Sequence, residues 1–234
     1  MPPRLDITLA LRRTIAALRL DLPSLLVAGL MLVALPGLLI DVFTPDAGYS
    51  TDAAILLITL RAVLAMLFIA QSSWSVLARL AGLRLTPGAA LRQGLARAQP
   101  GLKVALLAGA AIVAGLILNL FARHGTMPGF ILETLLLAVA LWAVGALMPA
   151  IPAAIIEGLG PMAALRRAAR LTAGNRDRTL VLGLIAALAV APALLLVRST
   201  GPLWLSALVD VYAAGLVACL AAVVYASLSQ GRPT

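Results

Sequence analysis

The sequence predicts an all-α polytopic membrane bundle of six transmembrane helices, and three observations carry that prediction. Hydrophobic residues make up 62% of the chain and charged residues only 12%, with a mean hydropathy of +1.06, far from the usage of water-soluble domains. Six apolar stretches each reach or approach the ~20 residues that a helix rising ~1.5 Å per residue needs to cross ~30 Å of hydrocarbon. The basic residues gather in alternate connections between those stretches, as a chain threaded back and forth through a bilayer requires.

The stretches are Leu22–Val42, Ala53–Trp74, Leu102–Phe121, Phe130–Ile156, Leu180–Val197 and Leu203–Leu228. The first is as long as a full span, and Asp41-Val42-Phe43-Thr44-Pro45-Asp46 offers no small-x-small cleavage site, so it reads as a retained helix rather than a leader. Pro36 and Pro192 interrupt the first and fifth stretches, and Pro149 and Pro152 interrupt the inner half of the fourth. Each proline frees a carbonyl that neighbours or water must satisfy, which gives either an ordinary kink or a hinge beside Glu157. Ala214, Ala218, Ala222 and Ala226 form a four-residue-spaced stripe in the sixth stretch, and Gly101, Ala105 and Gly109 form another entering the third. Both predict close helix seams within the bundle. Residues 1–234 read as a single membrane domain with no separate catalytic domain.

A net charge of +9 would point to nucleic acid in a soluble protein, but its distribution excludes that reading here. Arg4, Arg12, Arg13 and Arg19 precede the first stretch; Arg79, Arg84, Arg92, Arg97 and Lys103 lie between the second and third. Arg166, Arg167, Arg170, Arg176 and Arg178 lie between the fourth and fifth, and Arg232 is in the tail. The opposite connections hold only Arg123 and Arg198, with Asp46 and Asp52. The positive-inside bias therefore puts both termini in the cytoplasm of a bacterial inner membrane. All but one of the basic residues are arginine, a composition that suggests a GC-rich bacterial genome. A lone cysteine, Cys219, supplies neither a disulfide nor a cysteine metal site, and no cofactor or metal is expected.

The basic connections share a pattern. Pro87-Gly88-Ala89-Ala90-Leu91-Arg92 matches Pro161-Met162-Ala163-Ala164-Leu165-Arg166 at five of six positions, and Leu9-Ala10-Leu11-Arg12-Arg13 is a weaker copy. A short basic helix followed by two spans would then occur three times, over about 4–84, 85–158 and 159–234. Thr86-Pro87 and Gly160-Pro161 place a cap before a proline at the first helical position, so both start helices. Leu11, Ile15, Leu18 and Leu22 form an apolar stripe, repeated by Leu91, Leu95, Ala98 and Leu102 and by Leu165, Ala169 and Thr172. These segments read as elbow helices lying in the inner membrane surface, apolar stripe down, with Arg12, Arg13, Arg92, Arg97, Arg166, Arg167 and Arg170 toward anionic headgroups. The plainer reading is that such segments only fix topology.

The run from Glu157 to Asn175, with Glu157-Gly158, Ala164-Leu165-Arg166-Arg167 and Leu171-Thr172-Ala173-Gly174-Asn175, resembles a signature of the membrane domain associated with bacterial glycerophosphoryl diester phosphodiesterases and of related six-span bacterial membrane proteins. Ala168 or Ala169 stands where that pattern carries serine. The resemblance implies a helical membrane module. In that family the phosphodiesterase activity belongs to a separate barrel domain, so it is not expected of this chain.

Charges inside spans are expensive and mark function or a partner. Arg61, Glu133 and Asp210 qualify; Arg61 and Asp210 lie about 13 and 12 Å below the outer surface at ~1.5 Å per residue, with Glu133 nearer it. They form either an internal Arg61–Asp210 pair or the lining of an aqueous pocket for an ion, proton or headgroup. Glu157 is expected to fix the elbow by pairing with Arg166 or Arg170. His124, the only histidine, has no metal or catalytic motif near it, and no serine is flanked by a nucleophile motif. The sequence thus points to a transport-like or lipid-interacting module with a basic cytoplasmic collar. The alternatives are a scaffold or assembly factor for a partner membrane protein and, least supported, an intramembrane enzyme acting on lipid phosphodiesters.

Overall fold

The computed structural model describes residues 4–43, 51–121, 127–200 and 202–229. Every regular element among them is helical: α1 (Ile7–Gly29), a π-helical segment (Leu30–Ala34), α2 (Leu35–Phe43), α3 (Thr51–Leu80), α4 (Pro87–Arg97), α5 (Gln99–Phe121), α6 (Met127–Leu147), α7 (Ala150–Glu157), α8 (Pro161–Leu171), α9 (Arg176–Thr200) and α10 (Leu203–Ser229). Four helical stretches among the described residues are long and apolar enough to cross a membrane: Ile7–Ile40, Thr59–Leu80, Arg176–Val197 and Leu203–Ser229. The chain is therefore an all-helical membrane protein.

Helix boundaries follow local chemistry. Helix α4 starts where the Thr86 hydroxyl accepts the Ala89 N–H and Pro87 takes the first helical position. It stops at Ala98 because Pro100, two residues on, has no N–H to continue the ladder. Helix α8 likewise has a proline, Pro161, at its first helical position, after Gly160, which provides no side-chain cap, and it ends before Gly174, whose φ of 85° few side chains tolerate. The first copy departs from the expected elbow-then-span plan. With no Gly-Pro break before Pro23, and with Asp6 capping Leu9 N–H at 3.0 Å, α1 runs unbroken from Ile7 to Gly29. The irregularity comes later, where the N–H of Leu35, the residue just before Pro36, reaches back to the Leu30 carbonyl.

The fourth stretch breaks as its prolines predict, at Met148–Pro149 between α6 and α7. The carbonyls released by the break are taken up by threonines of the α8–α9 junction. Thr179 donates to Gly145 O, and Thr172 donates to Ala146 O at 3.0 Å. Close approach is possible because residue 145 is glycine, where a Cβ would stand 2.8 Å from the Arg176 carbonyl oxygen. Pro192, by contrast, sits within an uninterrupted α9.

Packing concentrates at one end. The C-terminal parts of α3 and α10 are buried almost all round, from Phe68 to Ala78 and from Ala218 to Tyr225, and Pro152 to Ile155 of α7 joins them. Helix α4 lies against α1 and α3, α8 lies against α5, α6 and α7, and α1 lies against α10 and touches α9. Along the opposite half, large apolar side chains face outward, as with Leu188 and Leu195 at 72% and 73% exposure, which in a bilayer is contact with lipid.

The large residues of the apolar stripe keep much of their surface outside the bundle: Ile15 and Leu22 are 48% and 45% exposed, and Leu95 is exposed too. The packed face is instead a pair of small residues one turn apart, Ala10 and Thr14, Ala90 and Gly94, Ala164 and Ala168, all buried. Lipid competes equally well for leucine, so close contact falls to residues that let backbones approach. At Gly94 a Cβ would stand 2.7 Å from Cγ of Gln71.

Candidate functional site

Polar side chains inside the bundle form separate clusters, each built across helices. Arg61 of α3 and Asp210 of α10 meet with Nη2 3.1 Å from Oδ2. Their side chains are 35% and 16% exposed, and the guanidinium lies over Gly37 of α2. Two charges that would each be costly in hydrocarbon thus face one another. Glu133 belongs to α6, but its side chain lies outside the described residues, as do His124, Arg123 and Arg232.

The most deeply buried charge escaped the sequence reading. Asp21 of α1 is fully buried and accepts from Ser75 Oγ at 2.7 Å and from Arg79 Nε, both on α3. Arg79 Nη2 also reaches Ser24 Oγ and the Leu85 carbonyl, each at 3.4 Å. Helical spacing carried the signal: Ser24 stands three residues after Asp21, and Arg79 stands four after Ser75. From the sequence, Arg79 counts only among the basic residues between the second and third stretches. Nearby, Gln71 donates to the Ala90 carbonyl of α4 at 3.4 Å and accepts from Ser72 Oγ at 3.1 Å. The buried Ser73 hydroxyl has no hydrogen-bond partner.

Glu157, at the end of α7, is held by a different arginine from the two expected. Arg167 Nε donates to both its carboxylate oxygens, at 2.9 and 3.0 Å, and Tyr225 OH donates to Oε1 at 3.0 Å. The exchange follows from geometry. Gly158 in the left-handed conformation (φ 63°) turns the chain so that α8 presents Arg167 back toward Glu157. Asn175 accepts the Leu5 N–H at 2.8 Å and Arg178 donates to the Leu5 carbonyl at 2.7 Å, tying the start of the chain to α9. In this chain the Leu171–Asn175 run therefore acts as a clasp, with Thr172 on α6 and Asn175 on the segment before α1.

Of the seven collar arginines, Arg12, Arg13, Arg92, Arg97, Arg166 and Arg170 are exposed, while Arg167 is half-buried on Glu157. Arg97 also covers the ring of buried Trp74 at 5.3 Å, a cation–π contact. Pro149 and Pro152 are buried at the α6–α7 break. A cavity of about 290 Å³ opens at the same end between α1, α3 and α10, beside Arg13 and Arg79. Among the described residues no group of three or more histidine, cysteine or carboxylate side chains could hold a metal ion. The Arg61–Asp210, Asp21–Ser75–Arg79 and Glu157–Arg167–Tyr225 clusters each join two or more helices through hydrogen bonds to a carboxylate. Compared with protein-family models, with characterised proteins and with solved structures, the chain matches none.

Proposed function

We propose that this chain is a non-catalytic, six-span bacterial inner-membrane module whose basic cytoplasmic end engages anionic lipid headgroups. The observation that carries the reading is the partition of charge. The carboxylates of Asp21, Glu157 and Asp210 each face an arginine of the bundle, while Arg12, Arg13, Arg92 and Arg166 stay exposed on α1, α4 and α8. The unbalanced positive charge therefore lies on the surface at one end, where each arginine near an anionic leaflet contributes on the order of 1 kcal/mol.

Helices α5 and α6, of 23 and 21 residues, have the ~20 residues a span needs, and they bring the crossings to six with both termini inside. Of the three proposed elbow-plus-hairpin repeats, about 4–84, 85–158 and 159–234, the second and third begin with a separate short helix, α4 and α8. Helix α4 rests on the preceding α1 and α3, and α8 rests on the preceding α5 and α7. We also infer kinship with the membrane module associated with glycerophosphoryl diester phosphodiesterases, on the Glu157–Asn175 run alone.

The test is lipid retention. Native mass spectrometry of the full chain, comparing the wild type with an Arg92→Ala/Arg166→Ala double variant, should show fewer phosphatidylglycerol adducts in the variant. Equal adduct counts would contradict the collar. A second reading, a scaffold for a partner membrane protein, is favoured by the closed Arg61–Asp210 pair, which leaves those charges engaged with each other. Transport through that pair predicts loss of flux in Asp210→Asn vesicles, whereas the scaffold predicts none.

A further inference from the structure

The cavity between α1, α3 and α10 differs from the rest of the basic end in being two-sided. Its walls are apolar, with Leu20, Leu80 and Val223 among them, and Arg13, Arg79 and Ser227 supply its polar edge. Leu20 and Leu80 are 67% and 45% exposed, so apolar surface continues outward from the opening. Arg79 gives Nε to Asp21 and Nη2 to Ser24 and Leu85, which leaves the two N–H groups of Nη1 for a further acceptor. Asp21 balances the charge of Arg79, so exposed Arg13 contributes one net positive charge to the opening.

We infer that this groove binds one phospholipid, with its phosphate between Arg13 and Arg79 and the upper part of an acyl chain against Leu20, Leu80 and Val223. The inference rests on the collar reading and names a site within it. Charge and shape select the occupant together. One net positive charge matches one phosphodiester, and a water-soluble anion would leave the apolar walls uncovered. A lipid without a phosphate would leave Arg13 without an anion and the N–H groups of Arg79 Nη1 without an acceptor. A volume of about 290 Å³ lies near the ~300 Å³ lower bound of ligand pockets, which fits a phosphate and the first carbons of a chain rather than a whole lipid. Bound there, the lipid bridges α1, α3 and α10.

The experiment uses the full chain in detergent titrated with phosphatidylglycerol and read by native mass spectrometry. Arg13→Gln, an exposed change that leaves the packing intact, is expected to lower retention of the tightest lipid about five-fold. Ala226→Phe, which fills the groove wall, is expected to remove that lipid. Arg92→Gln is expected to affect only weaker adducts. Wild-type retention of the tightest lipid in Arg13→Gln overturns the groove. If the Arg92→Ala/Arg166→Ala variant then still loses adducts, the collar stands without it; if that variant is also unchanged, both readings fail. Displacement of the lipid by millimolar glycerol phosphate likewise overturns the proposal, because the headgroup alone would then suffice. Should Ala226→Phe fail to fold, Arg13→Gln decides alone.

Discussion

The two halves of α3 are built on different terms. From Phe68 to Ala78 almost no residue reaches the surface, and Gln71, Ser72, Ser73 and Ser75 are all buried there. Toward its start, Leu56 and Leu60 are 68% and 47% exposed, and Arg61 is the charge that meets another helix. In water the apolar half would be the buried one. In lipid, leucine gains nothing by leaving the solvent, so helices hold together where small residues and polar groups bring them close. The packed half of this bundle is accordingly its more polar half.

Breaking the packed half should cost most. Asp21→Ala removes a fully buried carboxylate that accepts from Ser75 and from part-buried Arg79, and about 3 kcal/mol of stability is expected to be lost. Thermal unfolding in detergent reads this directly, and an Asp21→Ala/Arg79→Met double variant should recover much of it. Asp210→Asn, in the open half, should cost less, about 1 kcal/mol, because the partly exposed Arg61 can still reach the surface. An equal loss at both sites would erase the distinction between the halves. Thr172→Val removes the hydroxyl that caps Ala146 O and should cost roughly 0.6–1.7 kcal/mol, together with faster proteolysis near the α6–α7 break. Leu188→Ala, on the lipid-facing side of α9, should leave the melting temperature almost unmoved. A loss of several degrees there would place that face against protein.

The same contrast explains what the sequence could and could not disclose. Helix class, the starts at Pro87 and Pro161 and the break at Pro149 are local matters of hydropathy, caps and missing N–H groups, and all are legible in the chain. Arg61 and Asp210 stand at similar depths by counting alone, and the structure places them 3.1 Å apart. The link from Asp21 to Arg79 was hidden because counting fixes depth but not which faces of α1 and α3 meet. The side of the short helices that packs on the bundle is carried by small residues, which a leucine stripe does not mark: Leu95 faces out and Gly94 faces in. The partner of Glu157 shifted from Arg166 or Arg170 to Arg167 because the left-handed turn at Gly158 sets the rotation of α8. Spacing alone cannot give that rotation.

Headgroup binding by the collar requires the arginine-bearing end to face the cytoplasmic leaflet. With the buried native thiol removed as Cys219→Ala, single cysteines placed as Arg92→Cys and Arg166→Cys can be labelled with a membrane-impermeant maleimide. Labelling in inverted vesicles but not in intact cells is the predicted result; labelling of either site from outside intact cells would contradict it.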